Sequence, residues 1–262
     1  MLFVDQVSVS LANTTILDRV IFQAQPGEIT AVIGPNGSGK STLLRAISGD
    51  IPYEGKILLN GHSIDTLQPW ELASMRAVLP QKSSLAFSFT VSEVVHIGLR
   101  NGIGAEFNTI ISDALSCVGL LGFAERQYLE LSGGEQQRVQ LARVLAQVWV
   151  PYEAGQNRWI FLDEPVSSLD IAHQIEVMNV AKNYAQSGGG VIAIMHDLNL
   201  TSMYANNIAV LHKGKKLCQG MPQDVMTDEW LSLAYECNLR VNTSPPPPAT
   251  YILPHLAVAR SD

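Results

Sequence analysis

The chain has 262 residues, of which 47% are apolar and 16% are charged, and its 24 acidic residues outnumber its 17 Lys and Arg, giving a formal net charge of −7. This length permits one large α/β domain or two small ones, and either can bury a sizeable core. The acidic balance argues against nucleic acid as the main partner, because such proteins usually present a basic face. It does not exclude a local basic patch.

The cysteines and apolar stretches indicate a chain without disulfides or membrane spans. Cys117, Cys218 and Cys237 form no C-x-x-C pair and are odd in number, so we expect buried, reduced thiols in a cytosolic protein. The first residues lack the positive charge of a signal peptide. The most apolar stretch, 114–124, is shorter than the roughly 20 residues of a spanning helix. We expect a soluble protein that reaches a membrane only through a partner.

The predicted elements begin with an antiparallel β layer. Apolar and polar residues alternate over 2–28 and 56–61, a pattern typical of strands with one face exposed. Three short apolar runs are instead typical of central strands covered on both faces. These runs are Ile29–Ile33, Trp159–Leu162 and Val191–Met195.

Helical patterns separate these central strands. Residues 82–157 contain few strand signals, so we expect a helical insertion whose clearest helix covers Glu135–Val150. Asn207–Gly220 predicts a hairpin, and Pro245–Pro248 predicts a polyproline linker to a short tail rather than a docking motif. The alternation of strands and helices predicts a doubly wound, mostly parallel α/β sheet.

A glycine-rich motif of the form G-x-x-x-x-G-K-S/T follows the first central strand. Its members are Gly34, Pro35, Asn36, Gly37, Ser38, Gly39, Lys40, Ser41 and Thr42. The glycines let successive N–H groups surround phosphate oxygens, and the following helix adds its N-terminal partial charge. We expect Lys40 to reach the β- and γ-phosphates and Ser41 to ligate Mg²⁺. The motif predicts a nucleotide site rather than a turn with an exposed lysine.

Acidic and imidazole side chains follow the other two central strands. Asp163 and Glu164 are adjacent at a strand end and point to opposite sides, so we expect them to have different roles. We assign Asp163 to the metal and Glu164 as the general base that polarises the attacking water. His196 follows the next strand, where strand ends converge on a ligand, and can contact the γ-phosphate or the water.

A second glycine-containing motif, LSGGEQQ over Leu131–Gln137, precedes the long predicted helix. Ser132 and Glu135 fit a capping box, which accounts for those two residues. It does not account for Gly133 and Gly134, because consecutive glycines cost ordering entropy. A helix N-terminus flanked by glycines predicts a second anion site, far in sequence from the first.

The order of these motifs resembles that of the ATP-binding subunits of ABC transporters. The matching segments span most of residues 3–220 and are GPNGSGKST (34–42), Gln81, LSGGEQQ (131–137), WIFLDEP (159–165), SSLD (167–170) and His196. The resemblance implies one ATPase domain with the P-loop NTPase fold. We expect a nucleotide-binding core with its β layer over 1–81 and 158–240, a helical subdomain over 82–157, and a tail over 241–262.

The resemblance also implies how the motifs work together. Two chains would pair head to tail, so that each ATP lies between the glycine-rich loop of one subunit and residues 132–135 of the other. Gln81 would contact Mg²⁺ or the attacking water and relay the nucleotide state to a permease, and Asp170 would reach across the dimer. Retention of Glu164 implies an active ATPase.

Two positions depart from the family pattern. Leu11 stands where an aromatic residue often stacks on adenine. We therefore expect adenine binding to lose a stacking contribution of about 1 kcal/mol and to become less selective, so that GTP substitutes in part. Val166 stands where Thr is common after Asp-Glu-Pro, without a clear consequence.

A finer resemblance concerns the cargo. Four segments are similar to the ATPases of bacterial importers of iron chelates, heme and cobalamin: RAVLPQ (76–81), LAFSFTVSEVV (85–95), SGGEQQRVQLARVLAQVW (132–149) and HDLNLTSMYANNIAVL (196–211). An extra segment, PYEAGQNR (151–158), makes the chain most similar to heme-importer subunits. A ferric siderophore or cobalamin is the alternative cargo.

These resemblances imply a set of partners. They are a second ATPase subunit, two copies of a transmembrane permease and, indirectly, a periplasmic heme-binding protein, at the cytoplasmic face of the bacterial inner membrane. We expect the permease to dock around Gln81–Val95, because Leu85, Phe87 and Phe89 are more apolar residues than a solvated loop needs. The alternative is that some of these three side chains belong to the core.

A non-transport ABC ATPase acting on DNA or ribosomes is the remote alternative. Members of that class carry a long coiled-coil insertion or a second such domain, and this sequence contains neither.

Overall fold

The structure of the chain, a computed structural model, describes residues 1–81, 87–99, 105–167 and 169–254. Its strands are β1 (Leu2–Leu11), β2 (Thr14–Ala24), β3 (Ile29–Ile33), β4 (Glu54–Leu59), β5 (His62–Ser63), β6 (Arg76–Leu79), β7 (Tyr152–Glu153), β8 (Gln156–Asn157), β9 (Trp159–Asp163), β10 (Gly190–Ile194), β11 (Asn207–His212) and β12 (Lys215–Gly220). Its α-helices are α1 (Lys40–Ile47), α2 (Pro69–Met75), α3 (Val91–His96), α4 (Ala105–Cys117), α5 (Gly133–Gln147), α6 (Ile171–Gln186), α7 (Leu198–Tyr204), α8 (Pro222–Val225) and α9 (Asp228–Tyr235).

A mostly parallel sheet forms the centre of the molecule. Within the described residues it has six strands in the order β12-β11-β3-β10-β9-β6, and β12 runs antiparallel to β11. The three predicted central strands are confirmed as β3, β10 and β9, which lie side by side. A second, antiparallel sheet in the order β2-β1-β4-β5 is the predicted β layer.

The central sheet is covered on both faces, which explains the continuous apolar runs of its strands. On β3, Ile29, Ala31 and Ile33 face a core shared with helices α3 to α6. Val32 faces a second core that includes α1 and the antiparallel sheet. Successive side chains of a strand point to opposite faces, so one apolar run serves both cores. This arrangement confirms the predicted doubly wound α/β class.

The predicted helical insertion contains α3, α4 and α5, but its last residues are not helical. Residues 151–158 form the β7–β8 hairpin, because Ala154 and Gly155 both have positive φ, as a tight two-residue hairpin turn requires. The hairpin lies beside the antiparallel sheet, where the Asn60 side chain donates a 2.7 Å hydrogen bond to the Asn157 carbonyl. The expectation of a helical region up to residue 157 is therefore wrong at this segment.

Helix α5 and strand β6 also differ from the prediction. The helix covers Gly133–Gln147 rather than Glu135–Val150, since its N-cap is Ser132 and Val148 leaves the helical conformation. Strand β6, Arg76–Leu79, was not recognised in the sequence, because it is short and lies next to the apolar α2. It extends the central sheet beside β9 and thereby sets the position of Gln81.

The cysteines contradict the expectation of buried thiols. Cys117 and Cys237 are exposed, and Cys218 is partly buried on β12. Their spacing excluded a C-x-x-C pair but carried no information on burial. All three are free thiols, as predicted.

The C-terminal half confirms the predicted hairpin, which is β11 with β12. Pro245–Pro248 lies in irregular structure, and the tail beyond residue 254 falls outside the described residues, as does Leu85. Within the described part of the chain, no helix has the length and apolar character needed to cross a membrane.

Candidate nucleotide site

The glycine-rich loop connects β3 to α1 at the carboxyl edge of the central sheet. A Cβ on Gly34 would lie 2.0 Å from the Leu211 carbonyl oxygen, and a Cβ on Gly39 would lie 2.6 Å from Leu17 Cδ2. Both glycines also have positive φ, so a side chain at either position is strained as well as crowded. The loop therefore follows a path that only glycine permits at these two positions.

Lys40 turns its ammonium group back into the loop. Its Nζ donates to the carbonyl oxygens of Gly34, at 2.9 Å, and of Pro35, at 3.0 Å. Burial lowers the pKa of Lys40, while the nearby carboxylates of Glu164 and Asp163 act in the opposite direction. The loop thus holds a desolvated cation beside a helix N-terminus that carries no acidic residue in its first turn. This arrangement favours an anion.

Ser41 and Asp163 bring two oxygen groups together. The Ser41 hydroxyl lies 3.2 Å from Asp163 Oδ1, and joins the start of α1 to the end of β9. Burial raises the pKa of Asp163, and the hydrogen bond from Ser41 opposes that effect. Mg²⁺ prefers oxygen ligands, so a hydroxyl and a carboxylate can both bind it. Its other coordination positions are usually filled by water and by phosphate oxygens of the substrate. The donor set fits that ion.

Three neighbouring strands bring Gln81, Glu164 and His196 to one point. Glu164 Oε2 accepts a 2.7 Å hydrogen bond from Gln81 Nε2, and Glu164 Oε1 lies 2.6 Å from His196 Nε2. The side chains follow β6, β9 and β10, which are adjacent and parallel, so their carboxyl ends meet. Glu164 itself has φ of 53°, a left-handed conformation that is uncommon for a residue with a side chain.

The predicted division between Asp163 and Glu164 appears in their partners. Asp163 faces Ser41 of the glycine-rich loop, whereas the carboxylate of Glu164 contacts Gln81 and His196. Their roles in metal binding and base catalysis are not visible in these contacts and stay predictions.

Residues 132–135 form a separate feature. The Ser132 hydroxyl accepts a hydrogen bond from the Glu135 amide at 3.3 Å, and Glu135 Oε2 accepts one from the Ser132 amide at 2.8 Å. The hydroxyl of Ser132 also donates to this oxygen, and these bonds lower the pKa of Glu135. The capping box is thus formed, and a Cβ on Gly133 would meet no atom within 4 Å. Among the described residues, no hydrogen bond or ion pair joins this segment to the glycine-rich loop.

Asp170 is the N-cap of α6. Its Oδ1 accepts from the backbone N–H of His173 at 3.0 Å and lies 2.8 Å from His173 Nδ1. The bond from this N–H is the main reason for the lowered pKa of Asp170. Within one chain the residue has a local structural role, and its side chain is exposed.

The remaining predicted positions lie at the surface. Leu11 is exposed at the end of β1, with no aromatic residue adjacent in the sequence. Phe87 is 73% exposed and contacts Phe89 edge to face at a ring separation of 6.5 Å. Phe89 packs partly against the helical core, so the core alternative holds for this residue.

Sequence reasoning missed one residue that touches the site. The Gln137 side chain donates to the backbone carbonyls of Glu164, at 3.3 Å, and Pro165, at 2.7 Å. The LSGGEQQ motif contained Gln137, but a side chain that binds backbone oxygens leaves no partner residue type in the sequence.

The chain is similar to known proteins over nearly its whole length. A family model described as ABC transporter matches residues 17–167. The chain is 58% identical to the Hemin import ATP-binding protein HmuV of Jannaschia sp. (strain CCS1), over 98% of this chain and 95% of that protein. It is 57% identical to the protein of the same name from Roseobacter denitrificans (strain ATCC 33942 / OCh 114), over 96% of each. Among solved structures, cbiO1 from Clostridium perfringens, part of the ABC transporter complex cbiONQ, aligns with a TM-score of 0.74 and 25% identity over 88% of this chain and 92% of that one.

Proposed function

The chain belongs to the ABC transporter family, and we propose that it is the ATP-hydrolysing subunit of a bacterial importer that takes up heme. The observation that carries the proposal is the similarity to hemin import ATP-binding proteins over nearly the whole length of both chains. The P-loop NTPase fold and ATP binding, both expected from the sequence, agree with this proposal. The geometry at the end of β9 supplies the catalytic part of the proposal.

ATP binding requires a small rearrangement of Lys40. Backbone N–H groups within the glycine-rich loop surround the phosphates, and the Lys40 ammonium exchanges the carbonyls of Gly34 and Pro35 for phosphate oxygens. The cation is already desolvated in the loop, so its attraction to an anion is only weakly screened.

Ser41, Asp163 and Gln81 are the residues that we propose to hold Mg²⁺. The ion neutralises charge on the β- and γ-phosphates when it is bound. No group of three His, Cys, Asp or Glu in the described residues could hold a metal alone. The proposed ion would use the Asp163 carboxylate, the Ser41 hydroxyl, the amide oxygen of Gln81 and the oxygens of its substrate.

Glu164 is the proposed general base. Its carboxylate accepts the proton of the attacking water, while the 2.7 Å contact with Gln81 and the 2.6 Å contact with His196 hold it in place. We propose that His196 also contacts the γ-phosphate. Hydrolysis breaks the bond between the γ-phosphorus and the bridging oxygen, and releases ADP and phosphate.

The proposed assembly is a head-to-tail dimer. Ser132, Gly133, Gly134 and Glu135 of one subunit would cover the ATP of the other, and Asp170 would reach across the interface. The open space around Gly133 and the exposure of the Asp170 side chain support this arrangement, because both leave room for a partner chain.

The proposed setting is the cytoplasmic face of the bacterial inner membrane, on two copies of a permease supplied by a periplasmic heme-binding protein. The exposed Phe87, close in sequence to Gln81, supports a docking role for this region. Nucleic acid is not a proposed partner, since the chain is acidic.

The cargo is tested by transport. Proteoliposomes that carry the chain with its permease and binding protein should take up heme on addition of ATP, and neither a ferric siderophore nor cobalamin. Uptake of the siderophore or cobalamin but not of heme would refute heme as the cargo. The proposed ATPase role would still stand.

The base is tested by Glu164→Gln. This variant should bind ATP with unchanged affinity and lose at least about 100-fold in turnover, because general base catalysis contributes that much or more. Turnover at the wild-type rate would refute the role of Glu164.

A further inference from the structure

Gln137 joins helix α5 to the turn that carries Glu164. Its Nε2 donates to the carbonyl oxygens of Glu164, at 3.3 Å, and Pro165, at 2.7 Å. Only the N–H groups of an amide can face two carbonyl oxygens, so this orientation of the side chain is fixed. Its Oε1 on the other side is buried and accepts no hydrogen bond from any of the residues that the structure describes.

The backbone that Gln137 holds is strained. Glu164 has φ of 53°, and a residue with a side chain stays in this region only where its surroundings hold it there. The Glu164 carbonyl also accepts from the backbone N–H and hydroxyl of Ser167, at 3.4 and 3.3 Å, but Ser167 belongs to the same turn. Of these donors, Gln137 is the one from another element of the fold.

A second glutamine, on the next helix along the chain, bonds to two further backbone carbonyls after β9. Gln174 of α6 donates through Nε2 to the carbonyls of Val166, at 3.3 Å, and Leu169, at 3.0 Å. Side chains of α5 and α6 therefore hold four backbone carbonyls after β9, those of residues 164, 165, 166 and 169. The carboxylate of Glu164 is fixed separately, by Gln81 and His196.

We propose that Gln137 is a positioning residue for the Glu164 carboxylate. By holding the carbonyls of Glu164 and Pro165, it keeps the left-handed backbone in which the carboxylate meets Gln81 and His196. It also connects the helix that begins at Gly133 to the base of the same subunit. The inference rests on the proposed role of Glu164 as general base.

The consequence of losing this contact is kinetic. Without the two bonds from Nε2, the backbone at Glu164 can relax from its strained conformation and displace the carboxylate. A displacement of 1 Å in an active site lowers a rate by up to about 100-fold, while the binding of the nucleotide depends on other residues. The expected signature is a lowered kcat with an unchanged KM for ATP.

Gln137→Met is the test variant, and Gln147→Met is its matched control. Methionine keeps the length of glutamine and removes both the N–H donors and the unsatisfied Oε1. Gln147 lies on the same helix and makes the same kind of contact, with Nε2 donating to the carbonyls of Ala73, at 2.9 Å, and Arg76, at 3.1 Å. It therefore reports the loss of an amide bridge that does not touch Glu164.

Steady-state ATP hydrolysis is measured on the full chain assembled with its permease. We expect Gln137→Met to lower kcat by about tenfold or more with KM within about twofold, and Gln147→Met to change kcat by less than about twofold. Gln137→Glu should lower kcat further, because it puts carboxylate oxygens against two carbonyls.

Each other outcome overturns the inference or its premise. Equal kcat in the two methionine variants overturns it, as does a Gln137→Met chain that fails to fold or loses ATP affinity, since each would indicate a purely structural role. Glu164→Gln is run in the same assay. Wild-type turnover in that variant would mean that the proposed function of Glu164 has failed, independently of Gln137.

Discussion

Two glycine-containing segments precede helices in this chain, and they differ in what surrounds them. In the glycine-rich loop, a Cβ on Gly34 would lie 2.0 Å from the carbonyl oxygen of Leu211. In the segment 132–135, a Cβ on Gly133 would meet nothing within 4 Å. The fold of a single chain thus requires glycine at the first position and does not require it at the second. Within the described residues, any requirement for Gly133 would come from outside the chain.

The charges of the two segments differ in the same way. Lys40 is buried and bonded to the loop around it, and the first turn of α1 has no acidic residue. The start of α5 is exposed, and the Glu135 carboxylate already occupies its N-terminus through the capping box. One helix N-terminus is therefore prepared for an external anion, whereas the other is satisfied by its own side chain.

Gly34→Ala should give the largest loss of stability. The clash with Leu211 and the φ of 145° together should lower the free energy of unfolding by about 3 kcal/mol or more, measured by urea titration. Gly27→Ala is the matched control, because Gly27 also has positive φ but has open space around it, and should cost about 1 kcal/mol. Equal losses in the two variants would mean that the close approach to Leu211 carries no cost.

Lys40→Met should leave the free protein nearly as stable and abolish its response to ATP. The variant removes a desolvated charge together with its two hydrogen bonds, so the two effects oppose each other. ATP at 100 times its Kd should stabilise the wild type by about 2.7 kcal/mol, and the variant hardly at all. Lys182→Met, on the exposed face of α6, should keep the full response. An unchanged ATP response in Lys40→Met would contradict the proposed phosphate contact.

Elements of the fold with a regular sequence pattern could be predicted, and elements without one could not. The central strands, the β layer and the glycine-rich loop were predicted correctly, because each depends on a short, regular pattern of apolar or glycine residues. The β7–β8 hairpin was missed, since it depends on positive φ at Ala154, which has no signal in the sequence. Strand β6 was missed because its four residues make no recognisable pattern.

The candidate site shows the same limit. Glu164 and His196 could be placed together, because both follow apolar strands of one parallel sheet. Gln81 was found only through a family resemblance, as its strand was not recognised. Gln137 was not found, because its partners are backbone carbonyls and these are the same for every residue type.

Gly133→Ala should separate stability from activity. Alanine at this open helical position should raise the free energy of unfolding of the monomer by about 0.5 kcal/mol, since it costs less backbone entropy than glycine. In the proposed dimer the added methyl group would lie between the helix and the partner's phosphates. ATP hydrolysis should therefore fall although the monomer is more stable. Full activity in Gly133→Ala would contradict the proposed position of this segment at the partner's ATP.

Glu135→Gln should have the smallest effect on the stability of the monomer, and the size of that effect depends on pH. Because bonds from Ser132 lower the pKa of Glu135 from its ordinary 4.5, the carboxylate stabilises the fold above this pH and loses that contribution as pH falls through the lowered value. The exposed carboxylate at a helix N-terminus should contribute about 0.3 kcal/mol near neutral pH. The difference in urea unfolding between wild type and variant should shrink as the pH is lowered below 4.5. A difference that grows on acidification would contradict the capping role.

Glu135→Gln should favour dimerisation, although it makes the monomer slightly less stable. The Glu135 carboxylate occupies the N-terminus of α5 and repels any second anion that approaches it, whereas the neutral amide of glutamine can still accept from the Ser132 N–H. If residues 132–135 face the partner's ATP, Glu135→Gln should lower the ATP concentration needed for dimerisation in a Glu164→Gln background, measured by light scattering. Weaker dimerisation would mean that the carboxylate itself makes a favourable contact across the interface. The start of α5 would then differ from that of α1 in using its own negative charge for recognition.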